Sequence, residues 1–81
     1  MSAKHLPLSM INPSERVKVT EIRGGHGLLQ KLADMGLTPG VNLKVINSQK
    51  PGPILIDLRG SRLVLGHGVA QKVMVDITDN G

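Results

Sequence analysis

An 81-residue chain can hold one modest hydrophobic core, so length alone excludes a separate substrate domain. With no Phe, Trp, Tyr or Cys, the core must be aliphatic; there is no aromatic platform for bases, sugars or Pro-rich peptides, and no disulfide, thiolate metal site or cysteine nucleophile. Ten Lys and Arg against six Asp and Glu give a net charge of +4, but the basic residues are scattered from Lys4 to Lys72, which suits a mildly basic surface facing an acidic partner or anionic lipid better than a nucleic-acid stripe.

The amino terminus, Met1 to Pro7, lacks the apolar run of a signal peptide, and no later segment is long enough to span a bilayer. The expectation is a cytoplasmic protein in one domain, 1–81. Residues 1–14 mix Pro7, Asn12 and Pro13 with Leu6, Leu8 and Met10; they are expected to be extended and only partly ordered, with apolar side chains touching the edge of the core. From Arg16, Val17 and Val19 alternate with Lys18 and Thr20, the pattern of a half-buried strand. The pattern slips one step to reach Ile22, which predicts a bulge near Thr20-Glu21.

Gly24-Gly25-His26-Gly27 interrupts the strand. Leu28, Leu29, Leu32, Ala33 and Met35 then recur at helical spacing, with Gln30, Lys31 and Asp34 opposite. Gly36 stands where a left-handed residue ends a helix, and Leu37 where an apolar side chain folds back on the last turn. Thr38-Pro39-Gly40-Val41 fits a type II turn, Pro fixing φ at its second position and Gly allowing positive φ at its third. Val41, Leu43 and Val45 form a second alternating strand, 47–53 a polar loop, and Ile54-Leu55-Ile56 a third strand. Leu58 and Leu63 flank Arg59-Gly60-Ser61-Arg62, read as a hairpin connection into Leu63-Val64-Leu65. Gly66-His67-Gly68 interrupts again, Val69 to Lys72 allow one helical turn, and Val73, Val75 and Ile77 close the domain before a polar tail, 78–81.

The fold class that follows is mostly β: a small SH3-like barrel of about five strands, one α-helix inserted after the first strand, and a short helical turn before the last. Closing the sheet on itself would protect edges that so short a chain cannot otherwise cover.

Three constellations bear on function. His26 and His67 sit between glycines and are the candidates for a weak shared divalent metal site; against this, a metal site needs three or four converging ligands, and the plain reading is two solvent-facing loop residues. Gly24-Gly25-His26-Gly27 before a helix could offer N–H groups to a phosphate, but it lacks the Gly-Lys-Ser/Thr ending of a P-loop. Ser9, Ser14, Ser48 and Ser61 carry no flanking catalytic motif and the six acids are dispersed, so no enzyme is expected. For binding, Leu29 and Met35 could line a groove between helix and barrel, and the loop residues Lys50, Arg59 and Arg62 could touch an acidic partner surface.

The stretch Leu32-Ala33-Asp34-Met35-Gly36-Leu37-Thr38-Pro39-Gly40 resembles the signature of the FeoA family, a short helix ending at a Gly-Leu-x-Pro-Gly turn. Gly52-Pro53-Ile54, Leu58-Arg59-Gly60-Ser61-Arg62-Leu63-Val64-Leu65, and Ala70 before Val73-Met74-Val75 extend the likeness over Leu6 to Ile77. One departure is Pro13-Ser14-Glu15, where that family often has Pro-Gly, so a different turn geometry is expected before the first strand. The resemblance implies an SH3-like cytoplasmic accessory domain that assists FeoB, the ferrous-iron transporter with a GTP-binding domain, held at the inner membrane only through that partner. It also implies kinship with the carboxyl-terminal domains of iron-dependent repressors. No resident cofactor is expected. The alternatives are a small basic barrel that binds nucleic acid and a module that senses ferrous iron through His26 and His67.

Overall fold

The computed structural model describes residues 5–49 and 51–78. Six strands, β1 (Leu6–Pro7), β2 (Arg16–Ile22), β3 (Asn42–Ser48), β4 (Ile54–Leu58), β5 (Ser61–Leu65) and β6 (Val73–Ile77), are joined by two helices, α1 (His26–Asp34) and α2 (His67–Ala70). All pairings are antiparallel, in the order β1-β6-β2-β3-β4-β5. The sheet curls around one aliphatic core drawn from β2 to β6, both helices and the amino-terminal segment, including Leu8, Val17, Val19, Leu32, Leu37, Val45, Ile56, Ala70, Val73 and Val75.

The strands arise where the alternation places them. Val17 and Val19 are fully buried between exposed Arg16 and Lys18, and Leu43 and Val45 are buried beside Asn42 and Lys44. The register of β2 on β6 shifts between Val19 and Glu21, which is the expected bulge. A second bulge, between Val45 and Asn47 of β3, carries that strand to Ser48, past the point where alternation stops. Its apolar Ile46 breaks the inside-outside pattern, so period-two reading ends the strand too early.

α1 begins at His26, two residues before the apolar run, because Gly25 adopts an extended N-cap conformation and its carbonyl accepts from Leu29 N–H at 3.1 Å. Its end is a Schellman closure: Leu37 N–H donates to the Leu32 carbonyl at 2.8 Å and Gly36 N–H to the Ala33 carbonyl at 2.9 Å, with Gly36 at φ +87°. Leu32 and Leu37, both buried, supply the apolar contact of that motif. Val41 N–H then bonds the Thr38 carbonyl at 3.2 Å with Gly40 at φ +100°, the type II turn into β3.

Five expectations are corrected. The strand count is six because the segment 1–14, expected to be only partly ordered, contributes β1 and a 3₁₀ turn, Leu8–Met10, over its described part. Leu8 and Ile11 lie inside the core rather than at its edge, with 0% and 1% exposure. The hydrogen-bonded ladder does not close, since β1 and β5 stand at its two ends. The edges are instead blunted by brevity, by Pro7, which lacks a donor, and by the charge of Arg62. The β4–β5 connection is only two residues, Arg59 and Gly60, both at positive φ (54° and 88°), so Ser61 and Arg62 belong to β5. Finally, α2 starts at His67 rather than Val69, again from an extended glycine, Gly66.

Candidate interaction surface

α1 turns Leu32 into the core and packs Leu28 and Met35 partly against it. Leu29 is 36% exposed, and Ala33, one turn on, is exposed as well. Of the two helix residues expected to line a groove, Leu29 therefore faces out, whereas Met35, the helix C-cap, is half-buried in contact with the core cluster. Lys50 lies outside the described residues. Arg59 occupies the hairpin tip and Arg62 the outer face of β5, both exposed.

His26 and His67 are not loop residues: each is the first residue of a helix, behind an extended glycine. Among the described residues no group of three or more His, Asp or Glu side chains could hold a metal ion. His5 has a local role. Its N–H donates to Asp76 Oδ1 at 2.9 Å and its Nδ1 lies 3.4 Å from Thr20 Oγ1, tying the chain just before β1 to β2 and β6. Thr20, His5 and Asp76 do not form a nucleophile relay, because the Thr20 hydroxyl donates to the Met74 carbonyl at 3.2 Å and the Asp76 carboxylate binds the His5 backbone, not its ring.

The register assembles a feature that linear reading missed. Arg16 pairs with Lys44, Lys44 with Asp57, and Asp57 with Arg62, so these side chains form one row across the outer face of β2, β3, β4 and β5. In the adjacent row Lys18 stands between Asp76 and Asn42. A shallow concavity of about 1150 Å³ runs over this face; Arg16, Lys18, Lys44 and Arg59 line it together with Glu15 and Asp57. The one ion pair among the described residues is elsewhere, Arg23 Nε to Glu21 Oε2 at 3.7 Å between two exposed side chains. The signal was available in the sequence: Arg16 and Lys18 around Val17, and Lys44 beside buried Leu43 and Val45, are the outward positions of neighbouring strands.

A small, SH3-like antiparallel β domain with an aliphatic core, a partly exposed helix and a basic outer face is the class of molecule this defines. The chain belongs to the FeoA family: the FeoA domain matches residues 6–77. It is 40% identical over 75 residues to a Methanocaldococcus jannaschii protein named as an Fe(2+) transport protein A, covering 93% of this chain and 90% of that one. A crystal structure of the iron uptake regulatory protein FeoA superposes with a TM-score of 0.85 at 42% identity, over 96% of this chain and all of that one. A manganese-dependent transcriptional repressor shares the fold, with a TM-score of 0.85 at 20% identity over 91% of this chain and 41% of the repressor. Among the described residues no helix is long and apolar enough to cross a membrane.

Proposed function

We propose that this protein is a non-enzymatic accessory module of ferrous iron uptake that binds the cytoplasmic part of a FeoB-type transporter and modulates its assembly or its GTPase cycle. The observation that supports this reading is the FeoA match running through every strand from β1 to β6, so that the whole domain, rather than a borrowed motif, is of the transport family. The geometry agrees with a docking role. Leu29 presents an apolar side chain on a short helix whose other face is fixed in the core, and rigid presentation lowers the entropy lost on association.

The test is association with the purified GTP-binding domain of the transporter encoded in the same organism, read beside iron uptake in cells lacking this protein. Saturable association and reduced uptake are expected. Leu29→Gln should weaken association while leaving the melting temperature nearly unchanged, because that side chain is exposed. No association together with normal uptake refutes the reading.

A further inference from the structure

The outer face of β2 and β3 sets two cations opposite each other, with an acid, Asp57 of β4, on the far side of Lys44. Arg16 and Lys44 are direct cross-strand partners, a juxtaposition that costs stability in a sheet. Among the described residues neither is in an ion pair. Lys18 and Arg59 line the same concavity. A sheet that keeps opposed cations on an open, concave face is shaped for an anionic ligand, whose carboxylates would relieve the repulsion on binding.

Resting on the reading that the chain works by docking onto a protein, we propose that this face receives an acidic, extended segment of that partner, held by Arg16, Lys18, Lys44 and Arg59. Three observations favour a polypeptide over other polyanions. Asp57 beside Lys44 and Asp76 beside Lys18 would repel the evenly spaced phosphates of nucleic acid, whereas a polypeptide can place a donor or a basic side chain there. The chain has no aromatic residue on which a base could stack. The exposed large apolar side chains, Met10, Leu29 and Val64, line none of the concavity, so a bilayer would find no anchor at its centre.

The experiment is fluorescence anisotropy of the full chain with a short labelled Glu/Asp-rich peptide, compared with a labelled DNA duplex and with phosphatidylglycerol vesicles, as salt rises from about 50 to about 300 mM. Saturable peptide binding that weakens with salt is expected. Arg16→Glu should weaken it about tenfold, and Arg23→Glu, with the same change of net charge but at the far end of β2, by less than about twofold. Arg16→Glu replaces a like-charge pair by an opposite one, so its melting temperature should hold or rise; should it fail to fold, Lys44→Gln serves in its place. No saturable peptide binding, equal losses in the two variants, or tighter binding to duplex or vesicles overturns the inference. The same variants tested against the transporter domain keep the two ideas apart. Wild-type association with no loss in Arg16→Glu overturns only the face, and no wild-type association overturns only the choice of transporter, with the peptide result deciding the face.

Discussion

Ser14 holds a conformation that its side chain disfavours, and relieving it should stabilise the protein. In the Asn12-Pro13-Ser14-Glu15 turn, Glu15 N–H bonds the Asn12 carbonyl at 3.3 Å and Ser14 sits at φ +76°. Proline cannot take positive φ, so this is a type II turn with serine in the glycine position. The turn before β2 is thus of the kind that Pro-Gly makes, and the expected difference in geometry is absent; the backbone strain of a non-glycine residue takes its place. Left-handed backbone costs an L-residue about 1–2 kcal/mol, and glycine returns about 0.4–1 kcal/mol through its freer unfolded chain. Ser14→Gly should therefore gain roughly 0.5–1 kcal/mol, or about 2–8 °C in melting temperature for a domain of this size. The Ser14 N–H bond to the Val45 carbonyl, 2.7 Å, is a backbone contact and survives the change. Urea and thermal unfolding measure the gain, with an unchanged urea slope showing that it comes from the native turn. Gly40→Ala is the mirror perturbation, since Gly40 is at φ +100° in a turn of the same type with nothing within 4 Å of an added Cβ. It should lose about 1 kcal/mol for the same backbone reason. A Ser14→Gly protein no more stable than wild type refutes the argument, as does a Gly40→Ala protein that loses nothing.

Arg59→Asn tests the type I′ hairpin, because Arg59 at φ +54° precedes Gly60 at +88° and Asn-Gly is the favoured pair for that turn. A gain of about 0.5–1 kcal/mol in urea unfolding is expected, and a loss would show that the Arg59 side chain contributes to folding. Leu32→Ala tests the attachment of α1, since Leu32 is the helix's one fully buried side chain and also closes its carboxyl-terminal motif. A loss of about 2–4 kcal/mol is expected, and a loss below about 1 kcal/mol would mean that the helix is held chiefly by its ends.

The fold was legible where local rules and burial agree. Val17 to Ile22, Leu28 to Leu37 and Thr38 to Val41 each combine a period with a stop signal of known geometry, and the bulge, the Schellman closure and the type II turn stand at the residues that demanded them. It was illegible where burial is decided at a distance. Leu8 and Ile11 look like loop residues between prolines, yet both are buried in the core, and the 3₁₀ turn that carries Leu8 lies against α2 and β6, which no window of sequence can show. The helix starts at His26 and His67 were hidden because neither N-cap uses a side chain; extended glycines do the work that Ser or Asp would announce.

The same distinction separates the two surfaces. Leu29 could be named from the sequence because a helix nine residues long has more apolar positions than one buried face requires. The basic face could not be recognised from a run, since Arg16, Lys44 and Arg62 are far apart along the chain and become neighbours only through the β2–β3–β4–β5 register. Register is set by the inward side chains: Val17 against Leu43 and Val45 against Ile56 fix which residues face solvent opposite one another. The core therefore dictates the position of each outer charge but not its sign. A cation opposite a cation at Arg16 and Lys44 gains nothing from folding, so its origin is to be sought in what the face meets outside the domain.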